Sequence, residues 1–312
     1  MVAVSPQATW AVDQAAAEPL APGDYSFSIK HSDRERSYLV HLPPQATGRK
    51  PLPVVLNFHG ATSNGRQQEK YSGMDSAADR FGFIAVYPNG TGRLGLLTWN
   101  AGLCCAYAMF HRVDDVGFVR ALVEDLSKRT AIDHTRIYAT GISNGAMMSY
   151  RLAAEASDLI AAIAPVAGAM VLPDFSPTRP IAIMHIHSVD DPFADYHGGY
   201  GRSGKLGHQM GNPDVEKMLA RWRAFDKCPD EPRVGPVLKG TPGTSDAGNS
   251  ATQYVWGPCA ERTEIVLWKL TGSGHVWPGA PQVRFLGRPT SLFDANQEIW
   301  DFFTKFSLPL ND

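Results

Sequence analysis

Short apolar runs separated by helix-like segments dominate the pattern of this chain. Nearly continuous apolar runs of this length are typical of strands buried on both faces, and they occupy residues 53–58, 83–87, 137–140, 160–166, 181–186 and 264–270. Residues 25–30 and 36–42 instead alternate polar and apolar side chains, which predicts an opening antiparallel hairpin.

Between the runs, apolar residues recur with a helical period. We expect Asp115 to cap one helix and Asn212-Pro213 to open another, while a last helix buries Ile299, Phe302, Phe303 and Phe306. Strands that alternate with helices predict the α/β class, with a mostly parallel sheet and helices on both faces. Residues 89–112 and 193–211 read as long irregular connections, and residues 235–249 as an exposed polar excursion.

The composition fits one globular domain, predicted over residues 24–312. The 312 residues are 44% hydrophobic and 19% charged, and the formal net charge of −2 gives no general attraction to nucleic acid or to an anionic membrane. No apolar run approaches the roughly 18 residues of a membrane helix. Residues 1–23 lack the basic start and apolar centre of an intact signal peptide, so we expect a flexible leader there.

The four cysteines allow three pairings. They form an adjacent pair, Cys104-Cys105, and a distant pair, Cys228 and Cys259, with no C-x-x-C spacing that would indicate zinc. We favour a Cys228–Cys259 disulfide and hence an oxidising compartment; the alternative is four reduced cysteines in a cytosolic protein. Cys104-Cys105 could form a strained vicinal disulfide, and Cys105 could instead be a thiol nucleophile, although no strand–turn–helix frames it.

Ser143 is the strongest candidate for chemistry. It is the centre of Gly141-Ile142-Ser143-Asn144-Gly145, directly after a predicted strand and before a helix-forming segment. A G-x-S-x-G sequence at such a junction is the nucleophile elbow of α/β-hydrolases.

A serine nucleophile needs a base and an acid that orients the base. His275 lies late in the chain, in a glycine-rich loop after a strand, and is the predicted base. Asp191 is the predicted acid, since Pro192 restricts its backbone, and Asp190 is the alternative. The other candidate histidines, His59, His185 and His187, are interpreted as structural.

The oxyanion of an acyl transfer needs backbone N–H donors, which we assign to Asn144 and to Ala61 in the loop after residues 53–58. This chemistry requires no metal and no organic cofactor.

With these residues assembled, the chain resembles the secreted polyhydroxybutyrate-depolymerase-like and feruloyl-esterase-like α/β-hydrolases, near carbohydrate esterase family one. The resemblance rests on motifs in order along the chain, namely Phe58-His59-Gly60, Trp99-Asn100-Ala101-Gly102 before Cys104-Cys105, Val113-Asp114-Asp115-Val116-Gly117-Phe118, the elbow, the 187–191 stretch and Gly274-His275-Val276-Trp277-Pro278-Gly279. It implies a triad of Ser143, Asp191 and His275, with Ala61 and Asn144 as oxyanion donors.

The chain departs from the family pattern in three places. The family's His-Gly-Thr-Ala-Asp stretch is here His187-Ser188-Val189-Asp190-Asp191, which aligns Asp191 with the acid. Ala61 replaces a frequent cysteine, which leaves a backbone donor intact, and Ala106 replaces a glycine after the cysteine pair. Trp99, Phe110, Trp277 and His59 are candidate substrate-binding residues, with core packing as the alternative for Phe110 and packing behind His275 for Trp277.

The leading hypothesis is an exported serine esterase, secreted or periplasmic, that acts on feruloyl or acetyl esters of plant polysaccharide or on related small esters. Its partner would be a small-molecule or polymer-attached ester. A polyhydroxybutyrate oligomer depolymerase is the runner-up. A serine peptidase and a non-catalytic carbohydrate-binding protein are more distant alternatives. The same triad can cleave amides, whereas an intact triad argues against a non-catalytic protein, and fold alone decides none of these.

Overall fold

The computed structural model describes residues 20–48, 50–200 and 211–309. Their strands are β1 (Gly23–His31), β2 (Arg34–Leu42), β3 (Leu52–Phe58), β4 (Ile84–Pro88), β5 (Thr91–Arg93), β6 (Leu96–Thr98), β7 (Ile132–Ile142), β8 (Ala162–Val166), β9 (Ala182–Ser188), β10 (Arg233–Lys239), β11 (Ser250–Trp256) and β12 (Ile265–Thr271). The helices are α1 (Gly65–Ser72), α2 (Met74–Phe81), α3 (Ala106–Phe110), α4 (Asp115–Ser127), α5 (Asn144–Glu155), α6 (Val215–Phe225) and α7 (Ala295–Phe303).

Ten of these strands form one sheet in the order β1-β2-β4-β3-β7-β8-β9-β12-β11-β10. The six central strands, from β4 to β12, pair in parallel, and the outer pairs are antiparallel. Parallel strands place their carboxyl ends at one edge of the sheet, so the loops after β3, β7, β9 and β12 come together there.

Both faces of the sheet are covered by helices. Successive side chains of β3 alternate, so Val54 and Leu56 lie in one apolar cluster and Val55 in the other. The first cluster includes Phe118 of α4 and Trp222 of α6, whereas the second includes residues of α2 and α7. The predicted α/β architecture with two covered faces is therefore confirmed.

Several local predictions need correction. Asp114, not Asp115, caps α4, because its side chain accepts a hydrogen bond from the Gly117 N–H. Asp214 caps α6, so this helix begins at Val215, two residues after the predicted opening at 212–213. The excursion at 235–249 begins as the edge strand β10, which pairs with β11, and the irregular 89–112 segment contains β5, β6 and α3.

Of the remaining predictions, one is confirmed and two concern residues that the structure describes only in part. The hairpin predicted at 25–30 and 36–42 is confirmed as β1 and β2. Most of the predicted leader, residues 1–19, and residues 201–210 of the second long connection lie outside the described residues. Among the described residues, no helix is long and apolar enough to cross a membrane.

The Cys228–Cys259 disulfide predicted from the sequence is present, with an S–S distance of 2.04 Å. It joins the segment after α6 to the loop after β11.

Asp226, two residues before Cys228, is fully buried, and one carboxylate oxygen accepts only a long hydrogen bond of 3.4 Å from the Ile181 N–H. Burial raises the pKa of Asp226 to about 7, because one weak bond does not replace the lost hydration.

The raised pKa predicts a pH-dependent cost to stability. A folded-state pKa above the unfolded value means that Asp226 contributes most to stability below about pH 4, and that this contribution is lost as the pH rises through 7. We therefore expect Asp226→Asn to raise the melting temperature at pH 8 and to change it much less at pH 5. Thermal unfolding at both pH values tests this, with the exposed Asp33→Asn as a charge-matched control. An equal effect of Asp226→Asn at both pH values would contradict it.

Candidate active site

Ser143 is the junction between β7 and α5. Its φ of 59° and ψ of −121° lie in a region that side-chain-bearing residues rarely adopt, as a nucleophile elbow requires. The Ser143 N–H donates to the carbonyl of Val166 at the end of β8, and its own carbonyl accepts from Met147 in the first turn of α5. These bonds hold the turn at the carboxyl edge of the sheet.

Two glycines of the elbow allow β7 and α5 to approach β3. A Cβ on Gly141 would lie 2.5 Å from the Phe58 carbonyl oxygen, and one on Gly145 would lie 2.1 Å from the same atom. Contacts this short are not tolerated by real side chains, so both positions require glycine. The G-x-S-x-G pattern is thus explained by close backbone packing against β3.

His275 and Asp191 form a buried pair across from the elbow. The His275 Nδ1 lies 2.7 Å from the Asp191 Oδ2, and their side chains are 7% and 0% exposed. The other Asp191 oxygen accepts hydrogen bonds from the N–H groups of Phe193 and Ala194. The alternative acid, Asp190, instead accepts a hydrogen bond from the Gly272 N–H.

Asp191 is ionised despite its burial. Desolvation alone would raise the pKa of its carboxyl, but the nearby His275 ring and the hydrogen bonds from His187 and His275 hold the pKa well below its usual range. A carboxylate bonded to Nδ1 leaves the Nε2 of His275 as the ring nitrogen that can accept a proton.

Ser143 and His275 line two adjoining cavities. The mixed cavity is about 610 Å³, and its mainly apolar wall also includes Gln67 and Lys70; the apolar cavity is about 520 Å³ and its wall includes Phe110. In this conformation of the described residues, no hydrogen bond joins the serine hydroxyl to the imidazole. In free enzymes such catalytic hydrogen bonds are often long and tighten only with substrate.

Two backbone donors face the same space. Ala61 lines both cavities and Asn144 lines the apolar one, each next to Ser143. Within the described part of the chain, neither backbone N–H donates to another protein group. Free N–H groups beside a nucleophile are suited to bind a developing oxyanion.

The Asn144 side chain fastens a neighbouring loop to the elbow. Its Oδ1 accepts from the Trp99 N–H at 2.7 Å, and its Nδ2 donates to the Trp99 carbonyl at 3.1 Å. The Trp99 indole in turn donates to the His59 carbonyl at 3.0 Å. These three bonds connect the elbow, the loop after β6 and the loop after β3.

Of the predicted substrate-binding residues, the structure places only Phe110 on a cavity wall, where its side chain is 65% exposed. Trp99 is fully buried behind the elbow, and Trp277 is buried with its indole bonded to Asn296. His59 is also fully buried: its Nδ1 lies 2.7 Å from the Gly60 carbonyl, and its Nε2 accepts from the Gly90 N–H. Burial lowers the pKa of His59 to about 4, so the ring is neutral at neutral pH.

Sequence reasoning missed part of the cavity wall. Phe285 and Leu286 line both cavities, and Phe285 is 71% exposed. Met147 and Phe193 line the apolar cavity. The signal available in the sequence was the apolar pair Phe285-Leu286 within a loop otherwise rich in proline, glycine and arginine.

The adjacent cysteines are paired with each other, as the vicinal-disulfide interpretation predicts. No free cysteine is present among the described residues, so Cys105 is not a thiol nucleophile. Cys105 contributes to the apolar cavity wall beside Ala106. The pair therefore shapes the site and carries no nucleophile.

Comparison with known proteins identifies relatives of this chain. A sequence model of the family described as "Esterase PHB depolymerase" matches residues 36–199. A bifunctional acetylxylan esterase/xylanase of Neocallimastix patriciarum is 27% identical over 273 residues, which are 88% of this chain and 34% of that protein. Feruloyl esterase B of Piromyces equi is 29% identical over 283 residues, or 88% of this chain and 46% of that protein. The chain thus spans between a third and a half of the length of these two relatives.

One further relative and one solved structure match over most of their own length. A putative esterase, NocK, of Nocardia uniformis subsp. tsuyamanensis is 29% identical over 255 residues, 79% of this chain and 72% of that protein. The structure of an acetyl xylan esterase from Aspergillus awamori superimposes with a TM-score of 0.57 and 15% identity, and covers 90% of this chain and 99% of that one. At this identity the structural likeness shows the fold alone, and it confirms the predicted α/β-hydrolase fold.

The Asn144 side chain gives a testable prediction about stability. Asn144→Ala removes both bonds to Trp99 and leaves the buried Trp99 N–H without a partner, which costs about 1–3 kcal/mol, while the Trp99 carbonyl keeps its hydrogen bond from the Cys105 N–H. We expect a larger loss in urea unfolding than for Asn64→Ala, which removes one cap bond at the start of α1. If Asn144→Ala were as stable as the wild-type protein, the bonds between Asn144 and Trp99 would not stabilise the fold.

Proposed function

We propose that this chain, which belongs to the family described as "Esterase PHB depolymerase", is a serine carboxylic-ester hydrolase. The observation that carries the proposal is the buried Asp191–His275 pair, whose imidazole lines the same cavity as Ser143, beside two backbone N–H groups that donate to no other described group. No other group of the described site combines a nucleophile, a base and oxyanion donors.

In the proposed mechanism, Ser143 Oγ attacks the ester carbonyl while His275 Nε2 takes the hydroxyl proton. Asp191 holds the Nδ1–H tautomer and stabilises the imidazolium that forms. The N–H groups of Ala61 and Asn144 bind the oxyanion of the tetrahedral intermediate. His275 then protonates the departing alcohol, and water releases the acid from the acyl-enzyme by the reverse sequence of steps.

The two cavities can hold the two ends of an ester, one on each side of Ser143 and His275. The apolar cavity, with Phe110, Phe193 and Met147, suits a flat aromatic or short acyl group. The mixed cavity adds the polar side chains of Ser63, Gln67 and Lys70 to a mainly apolar wall, and these side chains can hydrogen-bond the hydroxyl groups of an alcohol. We therefore propose feruloyl or acetyl esters of plant polysaccharide, or related small esters, as substrates. Names of relatives that include acetylxylan esterase and feruloyl esterase support this choice.

A polyhydroxybutyrate oligomer is the second candidate, favoured by the description of the matching family. Turnover of methyl ferulate compared with that of hydroxybutyrate oligomers decides between the two. We further propose an oxidising compartment, secreted or periplasmic, since both cysteine pairs are disulfides.

The assignment of the nucleophile predicts the effect of removing its hydroxyl. Ser143→Ala is expected to lower hydrolysis of p-nitrophenyl acetate by at least about 10³-fold, because the acyl-enzyme can no longer form. Ser149→Ala is the matched control, since it removes a buried hydroxyl from the same helix that bonds only the Gly145 carbonyl. Comparable activity of the two variants would refute the proposed nucleophile.

The two neighbouring carboxylates give a second prediction. Asp191→Asn is expected to lower kcat by about 10⁴-fold, because the amide no longer selects the productive tautomer of His275. Asp190→Asn is expected to lower it by less than about tenfold, since Asp190 bonds only backbone N–H of another loop. Initial rates at saturating substrate measure both, and the reverse ranking would make Asp190 the acid.

A further inference from the structure

A row of buried polar side chains connects the nucleophile helix to the acid. Tyr150, on α5, has its hydroxyl 2.9 Å from the Nδ1 of His185 on β9. The Nε2 of His185 lies 3.0 Å from the Nδ1 of His187, two residues further along the same strand face. All three side chains are buried to 2% exposure or less.

The row ends at the loop that carries Asp191. The Nε2 of His187 lies 2.7 Å from the Ala194 carbonyl oxygen and 3.3 Å from the Asp191 Oδ2. That carboxylate oxygen is the same one that bonds the Nδ1 of His275. Hydrogen bonds therefore connect the nucleophile helix to the 191–194 turn, and a 3.3 Å contact continues from His187 to the carboxylate oxygen that bonds His275.

The partners at the two ends fix the direction of every proton in the row. A carbonyl oxygen only accepts, so the Nε2 of His187 carries a hydrogen and its Nδ1 is the acceptor in a neutral ring. The Nε2–H of His185 then donates to His187, and its Nδ1 accepts from Tyr150. In the reverse arrangement the Tyr150 hydroxyl would lose its acceptor, because within the described residues it has no other hydrogen-bonding partner.

We propose that His187 is a positioning residue for the Asp191–His275 pair, and that Tyr150 and His185 hold it as the neutral Nε2–H tautomer. In this role the Nε2–H of His187 pins the 191–194 turn through the Ala194 carbonyl and supplies a second donor to the Asp191 Oδ2. The inference rests on the proposed function, since it assigns how the acid of that triad is aimed.

His187 is packed among other ionisable side chains. The ionisable groups that face it are His185 on its own strand, Asp191 and His275 at one end, and Tyr196, whose ring packs edge-on at 5.7 Å. Burial lowers the pKa of His185 well below its usual value, with the neighbouring His187 contributing in the same direction. A cationic His185 is thus disfavoured, and the direction of its proton to His187 is retained.

The first test reads the protons directly. Long-range 1H–15N spectra of the full protein with 15N-labelled histidine, at pH 7.5, are expected to show the neutral Nε2–H tautomer for both His185 and His187. A cationic His187, or one with its hydrogen on Nδ1, would overturn the proposal. This measurement does not depend on ester hydrolysis. It therefore tests which ring nitrogens of His185 and His187 carry hydrogen even if the wild-type protein hydrolyses no ester and the proposed function fails.

The second test removes the donor. His187→Phe is expected to lower kcat about tenfold or more with little change in KM, because only the aim of the catalytic pair is altered. Without the second donor, more of the Asp191 charge is directed at His275, which favours the imidazolium. The acid limb of the kcat/KM profile should therefore move up by about half a pH unit or more. His187→Gln, whose amide N–H reaches a similar position, is expected to restore most of the loss.

Milder variants keep the test decisive if His187→Phe does not fold. Tyr150→Phe removes the hydroxyl that selects the tautomer of His185, and it is expected to lower kcat several-fold and to broaden the His187 signals. Tyr138→Phe is the matched control, since it removes a buried hydroxyl that bonds only the Phe306 carbonyl. Wild-type kcat, pH profile and histidine spectra in folded Tyr150→Phe, or in folded His187→Phe, would refute the positioning role.

Discussion

The close approach of the elbow to the end of β3 is the constraint on which the site depends. Phe58 pairs with Gly141 in the parallel register of β3 and β7, and its carbonyl oxygen occupies the space that a side chain at Gly141 or Gly145 would need. The same contact brings the loop after β3 alongside Ser143, since a Cβ on Gly60 would lie 3.5 Å from that of Ser143. One packing constraint therefore sets both the strained turn at Ser143 and the place of the Ala61 N–H.

A buried ion pair stabilises a loop next to the site. Arg36 of β2 lies 2.7 Å from Asp115, both side chains are almost fully buried, and the guanidinium lies over the Phe118 ring. The second Asp115 oxygen accepts from the Asn100 N–H, directly after Trp99. Removing either charge would leave the other buried without a partner, which is why such pairs are costly to break. The pair thus anchors the 99–105 loop, which the Asn144 side chain then fastens to the elbow.

Much of this arrangement could be predicted from the sequence. Apolar runs located the central strands, and the pattern around Ser143 located the elbow, because both follow from local residue order. Helix starts were displaced by one or two residues at Asp114 and Asp214, since neighbouring acidic or amide residues can all cap a helix. The burial of Trp99 and the exposure of Phe285 could not be predicted, because they depend on which distant loops meet at the edge of the sheet.

Asp191 and Asp226 show that burial alone does not decide whether a carboxyl group in this interior is ionised. Asp191 receives two backbone N–H groups and faces two imidazoles, and its pKa is held low. Asp226 is equally removed from water, but it receives one long bond and its pKa rises to about 7. The difference lies in the nearby His275 ring and in the number of donors that replace the lost water. His185 follows the same rule, because its buried ring bonds Tyr150 and His187 and no carboxylate, and its pKa is lowered well below the usual value.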